Sequence, residues 1–232
     1  MTNPQKQNTT NSVYCSMKTL FGFLLTLVVL SSCNNAEGSK GEKVADLPKA
    51  SKGEQTATFA GGCFWGLQEG FIQLKGVKKS TSGYSGGFKK NPTYEEVSAE
   101  KTGHAEAVQV VYDSNVISFE QLLDVFFTMH DPTQLNRQGP DVGESYRSVA
   151  FYRNADEKNK IEQAIEKYNN KGLHLEPVVT EVKPIEVFYP AEDYHQNYYK
   201  LNPTSSYIQN VCGPKVEKLR KAFPELLKDQ YK

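Results

Sequence analysis

The chain has 232 residues, of which 38% are hydrophobic and 23% charged, so it can bury one core of ordinary size and belongs to the globular class. Lysine and arginine number 27, aspartate and glutamate also number 27, and the formal net charge is +0. This balance, without a basic stripe along the chain, argues against a nucleic-acid-binding protein, because such proteins concentrate positive charge to displace counterions from phosphates.

The first predicted element is a targeting segment. The residues from Leu20 to Leu30 are apolar and follow Lys18, which is the pattern of a secretory signal. This apolar run is too short to span a bilayer as a helix. Because Met17 begins such a signal better than the polar residues before it, we expect Met17 to be the true initiator.

A cysteine directly follows the apolar run. Leu30-Ser31-Ser32-Cys33 resembles the lipobox of bacterial lipoproteins. The resemblance implies that residues 1–32 form a signal peptide and that Cys33 carries the lipid, since several acyl chains on one residue suffice for stable anchoring. We therefore expect a membrane-anchored protein of the cell envelope that faces away from the cytoplasm, on the periplasmic side. The alternative is an ordinary signal peptide with a chance cysteine.

The next segment, residues 33–55, is predicted to be a flexible tether. It is rich in Lys, Glu, Gly, Ser and Ala and has almost no large apolar residues, so it cannot bury enough surface to offset its ordering entropy. Residues 56–232 show no internal repeat and no second change of composition, which predicts a single domain. We expect this domain to be monomeric.

Strands and helices alternate in the predicted domain, which favours an α/β fold with a helix-covered sheet. The clearest helix begins with the capping box Ser118–Gln121 and stops before Asp131-Pro132. The periodicity predicts strands at 56–59, 77–83, 106–112, 148–152 and 178–182, further helices at 64–74 and 156–168, and two short helices at the C-terminal end.

Two cysteines, Cys63 and Cys212, fall in the predicted domain. No C-x-x-C motif is present, and the spacing of the four histidines to these cysteines does not fit a metal site. The sequence therefore predicts neither a metal nor a zinc-stabilised fold.

Cys63 stands in the segment Gly61-Gly62-Cys63-Phe64-Trp65-Gly66. Two glycines allow a tight turn after a strand, and the cysteine then opens a helix. Unpaired backbone N–H groups and the helix dipole at that place are expected to lower the pKa of the thiol, which makes it nucleophilic. Phe64 and Trp65 can form an apolar wall beside the sulfur. A buried structural cysteine is the alternative.

Gly62-Cys63-Phe64-Trp65-Gly66 resembles the GCFWG signature of the A-type peptide methionine sulfoxide reductases. Further blocks similar to that family follow in the family's order. They are Gly83-Tyr84-Ser85-Gly86-Gly87, Asn91-Pro92-Thr93-Tyr94, Gly103-His104-Ala105-Glu106-Ala107-Val108, His130-Asp131-Pro132-Thr133-Gln134, Arg137-Gln138-Gly139-Pro140-Asp141, Ser145-Tyr146-Arg147-Ser148 and Ala191-Glu192-Asp193-Tyr194-His195-Gln196. The resemblance covers about Thr56 to Pro214.

The resemblance implies roles for these residues. Cys63 would attack the sulfoxide sulfur, Glu106 would protonate its oxygen, and the hydroxyls of Tyr84 and Tyr146 would hold that oxygen. The acid must be protonated near neutrality, so Glu106 should lie in a dry pocket that raises its pKa. The remaining residues expected to bind substrate are Phe64 and Trp65, which receive the S-methyl group, together with Asp141 and Tyr207.

The C-terminal tail departs from the family pattern. Many members have a resolving cysteine directly after a tyrosine of the tail, but here Ile208 follows Tyr207, and the nearest thiol is Cys212. After the first step Cys63 should be a sulfenic acid, with which a second thiol can condense. We expect Cys212 to be that resolving thiol; the alternative is a buried spectator, with an external thiol reducing Cys63 directly.

The fold implied by the family is a two-layer α/β sandwich of ferredoxin-like type with long active-site loops. The implied substrate is methionine S-sulfoxide, free or in proteins, with no cofactor and with electrons from a thioredoxin-like dithiol. Three other functions stay open from the residues alone: a Cys–His hydrolase or acyltransferase, a non-catalytic aromatic-box lipoprotein, and a structural Cys63–Cys212 disulfide.

Overall fold

The computed structural model describes residues 53–172 and 175–232. Its strands are β1 Glu54–Gly61, β2 Val77–Ser85, β3 Ala105–Asp113, β4 Arg137–Gln138, β5 Asp141–Val142, β6 Ser148–Tyr152, β7 Glu181–Pro184 and β8 Phe188–Pro190. Its α-helices are α1 Phe64–Ile72, α2 Tyr94–Ser98, α3 Phe119–Met129, α4 Ala155–Asn170, α5 Tyr198–Leu201 and α6 Gly213–Ala222.

Six strands form the main sheet in the order β7-β6-β1-β3-β2-β8. Every neighbouring pair is antiparallel except β6 and β7, which are parallel. The succession β1-α1-β2-β3-α3-β6, with its four strands in the order β6-β1-β3-β2, is the ferredoxin-like arrangement, so the predicted fold class is confirmed. The strands β4 and β5 form a separate small hairpin.

The core lies between the sheet and the helices. The ring of Phe59 on β1 is fully buried and stacks on Phe71 of α1 at 5.4 Å and on Phe126 of α3 at 5.0 Å between centroids. Because side chains alternate along a strand, the same face of β3 presents Val108 and Val110 to this core. This alternation also directs Glu106, two residues before Val108, toward the helical layer.

The helix start that the sequence predicts most clearly is present in the structure. The capping box of α3 is present, since Ser118 Oγ accepts from the Gln121 N–H at 3.1 Å and Gln121 Oε1 accepts from the Ser118 N–H at 2.9 Å. The structure differs from the predicted elements in two respects. The last predicted strand, at 178–182, lies at Glu181–Pro184, and the short elements α2 and β8 were not predicted.

The predicted leader, its lipidation site Cys33 and nearly all of the predicted tether lie outside the described residues. The strand β1 begins at Glu54, two residues before the predicted start of the domain. In the described part of the chain, no helix has the length and apolarity needed to cross a membrane.

Candidate active site

The turn between β1 and α1 places Cys63 at the head of a helix. Gly62 has φ +84°, a conformation that costs an L-residue about 1–2 kcal/mol, and a Cβ there would lie 2.5 Å from the Gln138 side chain. The turn therefore requires glycine at this position. Cys63 is the N-cap residue of α1 and only 4% exposed.

Glu106 lies directly beneath this helix start. Its carboxylate accepts the backbone N–H of Phe64, the first residue of α1, at 3.0 Å between Oε2 and N. Only 3% of the residue is exposed. Burial raises the pKa of Glu106 well above its ordinary value, the charge of Cys63 adds to this, and the Phe64 N–H opposes it. The expectation of a dry carboxyl with a raised pKa is confirmed.

The prediction that the helix N-terminus lowers the pKa of the Cys63 thiol is wrong for the reduced protein. Burial is the largest effect on Cys63 and raises the pKa of its thiol, with the neighbouring Cys212 acting in the same direction. The N–H of Trp65 and the hydroxyl of Tyr207 lower the pKa, as expected at a helix N-terminus, but burial outweighs them. The charge of Cys63 in turn raises the pKa of Glu106, so a Cys63 thiolate favours a protonated Glu106 carboxyl.

Cys63 and Glu106 open into a pocket of about 310 Å³. Both residues line it together with aromatic and polar side chains, which are Trp65, Tyr94, Asp141, Tyr146, Tyr198, Ser205 and Tyr207. A larger cleft of about 580 Å³, lined by Lys89, His104 and Tyr189 among others, contains none of these groups. The smaller pocket is the one that carries the chemistry.

Tyr94 and Tyr146, two of the four tyrosines that line this pocket, have raised phenol pKa values. Burial raises the pKa of Tyr94 to about 12, and the charges of Glu106 and Cys63 contribute. Burial followed by the charge of Glu106 likewise raises the pKa of Tyr146. Both phenols therefore stay protonated and can donate hydrogen bonds to a bound oxygen.

The walls of the pocket are aromatic. Trp65 stacks on Tyr198 with centroids 3.8 Å apart and meets the edge of Tyr207 at 5.7 Å. The hydroxyl of Tyr207 donates to Asp141 Oδ2 at 2.6 Å, which ties the C-terminal tail to the β4–β5 hairpin. The indole N–H of Trp65 donates to His195 Nδ1 at 3.2 Å and fixes the ring. Trp65, Asp141 and Tyr207 thus lie in the pocket where the sequence placed them.

Cys212 lies behind Cys63. Both are buried free thiols, and a hydrogen bond joins their sulfurs. Cys212 ends a turn of π-helix, Ile208–Cys212, and caps the N-terminus of α6. Gly66 packs against Cys212, since a Cβ at this position would lie in ordinary van der Waals contact with the Cys212 sulfur at 3.7 Å.

The structure does not bring Tyr84 and the Phe64 ring into this pocket. The Tyr84 side chain is fully buried, and its hydroxyl donates to Glu192 Oε2 at 2.8 Å. The other oxygen of Glu192 accepts the Tyr94 backbone N–H at 2.9 Å, so Glu192 links the Tyr84 hydroxyl to the start of α2. The Phe64 ring is fully buried between Tyr84 and His195, with centroid distances of 5.9 and 5.1 Å.

Tyr94, Tyr198 and Ser205 were missed as site residues. A signal for Tyr94 was available: Thr93 and Glu96 have the spacing of a capping box, and the structure contains that box at the start of α2. Such a box makes Tyr94 the first residue of a helix with a fixed direction. No comparable local signal marks Tyr198 or Ser205.

The described histidines have partners other than Cys63. His104 Nε2 bonds the Lys89 carbonyl at 2.7 Å, and His130 bonds Ser148 Oγ at 2.7 Å. His195 is 2% exposed and accepts from Trp65, as a packed core histidine would. No Cys–His pair is therefore formed in the described ranges. Within 53–172 and 175–232 no set of His, Cys, Asp and Glu is arranged to hold a metal ion.

The fold and this pocket together define a cysteine-centred enzyme with a buried acid and an aromatic wall. Residues 55–227 match the family model described as peptide methionine sulfoxide reductase. The chain is 51% identical over 170 residues to peptide methionine sulfoxide reductase MsrA of Natronomonas pharaonis, covering 73% of this chain and 96% of that one. It is 52% identical over 165 residues to the protein of the same name from Nautilia profundicola, with coverages of 71% and 94%.

Solved structures agree with these relatives. Mxr1 from Saccharomyces cerevisiae in reduced form matches with a TM-score of 0.64 and 33% identity over 70% of this chain and 93% of that chain. Methionine sulfoxide reductase A of Corynebacterium diphtheriae matches with a TM-score of 0.64 and 31% identity over 74% and 91%. The chain belongs to the peptide methionine sulfoxide reductase family.

Proposed function

We infer that this protein reduces methionine sulfoxide to methionine by thiol chemistry, taking the S-epimer either free or in proteins. The observation that carries the inference is the convergence of Cys63, Glu106, Tyr94 and Tyr146 on one pocket with Cys212 directly behind. A sulfoxide needs a nucleophile for its sulfur, an acid for its oxygen and donors that hold the oxygen. The pocket contains all three kinds of group.

In the first step, the Cys63 sulfur attacks the sulfoxide sulfur while Glu106 protonates the oxygen. The oxygen is transferred to Cys63 as a sulfenic acid, methionine leaves, and the thiol proton of Cys63 restores Glu106. The sulfoxide is thereby reduced by two electrons and Cys63 is oxidised by two. The raised pKa of Glu106, caused first by burial, suits this exchange because the carboxyl holds a proton that it can give up.

The hydroxyls of Tyr94 and Tyr146 are proposed to donate to the sulfoxide oxygen. Tyr94 takes the place that the sequence suggested for Tyr84, whose hydroxyl is bound to Glu192. Trp65 and Tyr198 provide a stacked apolar surface for the S-methyl group, where dispersion contacts with sulfur and methyl are favourable. Asp141 accepts the Tyr207 hydroxyl and holds Tyr207 in the wall of the pocket.

Cys212 is proposed to resolve the sulfenic acid. Its sulfur already hydrogen-bonds that of Cys63 in the reduced protein, so a disulfide can form with little rearrangement. The product is a Cys63–Cys212 disulfide and water. A thioredoxin-like dithiol then exchanges with this disulfide and returns both thiols.

The test is a single turnover by the full chain, purified in detergent, reduced and freed of reductant. Excess methionine S-sulfoxide is added, the methionine formed is counted, and lost thiols are located by peptide mass spectrometry. One methionine per protein with a Cys63–Cys212 disulfide is the expected result. One methionine with Cys63 alone oxidised would remove Cys212 from the mechanism, and none, with both thiols intact, would refute the reductase.

We also propose that the protein is a monomeric lipoprotein of the cell envelope, anchored through Cys33 on the periplasmic side after removal of residues 1–32. Support comes from the apolar run Leu20–Leu30 followed by the lipobox-like Leu30-Ser31-Ser32-Cys33. Residues 33–55 would tether the domain 56–232 to the membrane.

Labelling with a radioactive fatty acid tests the anchor. Label is expected in the full chain and absent from Cys33→Ser, with Cys15→Ser as the matched control that keeps the label. Release of native protein into the soluble fraction without label would contradict the anchor. Light scattering of the detergent-free domain would test the monomer.

A further inference from the structure

Lys215 is a shielded cation beside the two thiols. Its Nζ is buried from solvent and has no hydrogen-bond partner among the residues that the structure describes. It lies 3.3 Å from the point that a Cβ on Gly62 would occupy, which places the ammonium against the turn that carries Cys63. An ammonium is costly to bury without a partner, so its place needs a compensating interaction.

Cys212 is positioned to interact with the buried Lys215 ammonium. Cys212 caps α6, and Lys215 follows three residues later in the first turn, where residues three apart share a face. The hydrogen bond with Cys63 is the largest effect that lowers the pKa of Cys212. The charge of Lys215 and the Gly66 N–H lower it further, against burial and Asp141.

We propose that the Lys215 ammonium stabilises the Cys212 thiolate in the step that closes the disulfide, as a positioning residue for resolution. The proposal rests on the function inferred above. The Cys212 thiolate attacks the sulfenic sulfur of Cys63, a sulfur–sulfur bond forms and the sulfur–oxygen bond breaks. The departing hydroxide takes a proton and leaves as water. No further oxidant or reductant enters this step.

The charge of Lys215 has little effect on the groups that reduce the sulfoxide. The pKa of Cys63 is governed first by burial and then by Cys212. Burial and the Cys63 charge dominate at Glu106, where Lys215 opposes them only weakly. Loss of the ammonium should therefore slow resolution and spare methionine formation.

The titratable and charged groups that face Cys212 come from several elements. Cys63 adjoins α1, Asp141 belongs to β5, Tyr199 to α5 and Lys215 to α6. Tyr207 hydrogen-bonds Cys63. Of these groups only Lys215 is cationic, which makes a change at this residue the direct way to alter the thiolate.

The test compares Lys215→Met with the native full chain in detergent after one addition of methionine S-sulfoxide. Quenched samples yield two rate constants, one for methionine and one for the Cys63–Cys212 disulfide. At a pH below the Cys212 pKa, every unit by which that pKa rises lowers the thiolate fraction about tenfold. The more basic thiolate is about threefold more nucleophilic, so disulfide formation slows about threefold per unit.

The pH profile separates electrostatics from structure. At a pH below the native pKa of Cys212, Lys215→Met should form the disulfide more slowly than the native protein. Well above that pKa the variant should equal or exceed the native rate, since Cys212 is then ionised in both proteins. Lys215→Arg should restore the native profile. Lys218→Met is the control, because Lys218 is exposed on the same helix. Lys215→Gln is a second charge-free variant should the Met form not fold.

The outcomes are distinct. Normal methionine formation, slower disulfide formation at neutral pH and a crossover at high pH support the role of Lys215. Equal slowing at every pH, or an unchanged profile, overturns it. Methionine without any Cys63–Cys212 disulfide in the native protein also overturns it, because Cys212 then resolves nothing. Absence of methionine in the native protein instead refutes the reductase itself.

Discussion

Phenylalanine substitutions at three tyrosines separate the hydroxyls that act on substrate from the one that supports the structure. Tyr94 and Tyr146 line the pocket with Cys63, whereas Tyr84 donates to Glu192. Tyr94→Phe and Tyr146→Phe should each lower kcat, because each removes a donor to the oxygen that gains charge in the transition state. Tyr84→Phe should retain most of the activity and lose stability instead.

The magnitudes follow from the contacts. Removal of one donor in an oxyanion hole costs about 100- to 1,000-fold, and with a second phenol still in place we expect about tenfold to 100-fold for each single variant. A hydrogen bond to a carboxylate contributes about 1.5–3 kcal/mol. Glu192 is partly exposed and keeps the Tyr94 N–H, so Tyr84→Phe should cost about 1 kcal/mol. For a domain of this size that is a fall in Tm of about 2–4 °C.

Single-turnover methionine formation and calorimetry on the same preparations give both quantities. The double variant Tyr94→Phe/Tyr146→Phe should form methionine more slowly than either single variant. Its fold-loss in rate should be smaller than the product of the two single fold-losses, since the two phenols share one oxygen. A Tyr84→Phe enzyme as slow as Tyr146→Phe, together with a fully active Tyr94→Phe, would refute this assignment. Tyr84 would then have to reach the substrate in a conformation other than this one.

Three further changes test the site and its scaffold. Glu106→Gln should lower kcat by about 100- to 10,000-fold. Burial raises the pKa of Glu106 in the folded protein above its unfolded value of 4.5, so the native protein loses stability as the pH rises past that value. The Tm of Glu106→Gln should therefore increase relative to the native Tm as the pH rises from 4.5, and a difference that does not change with pH would contradict this. Gly62→Ala should cost more free energy of unfolding than Gly139→Ala. Both positions have positive φ, +84° and +62°, but only Gly62 would place a Cβ against Gln138, so equal losses in urea titrations would show that the clash is absent. Burial lowers the pKa of His130 to about 3, so the free energy of unfolding should fall by about 5 kcal/mol as pH drops from about 6.5 toward 3, and His130→Asn should flatten that slope if the histidine causes it.

Local chemistry made several features predictable from the sequence. The glycines before Cys63 specify a turn that only a residue without a side chain can make, and the capping box at Ser118 specifies where α3 begins. Period-two alternation in β3 already placed Glu106 on the face of Val108 and Val110, although its burial was not visible from that pattern alone. These patterns left Cys63 and Glu106 open to a purely structural role, and it was the resemblance of their segments to the reductase family that identified them as nucleophile and acid.

Contacts between distant segments decided the rest. Tyr84 and Tyr94 lie ten residues apart, on either side of a loop that contains glycine and proline. The pairing of β2 with β3 and β8 directs the Tyr84 hydroxyl to Glu192, whereas α2 places Tyr94 in the pocket. The pKa of Cys63 reversed its expected direction because burial is a property of the packed core, whereas the helix dipole is local. Cys63 and Cys212 are 149 residues apart in sequence, and the docking of α6 on α1 sets them side by side. Sequence determined which reactive groups this protein possesses, and the tertiary structure determined which of them meet, because contact and desolvation depend on the whole packed chain.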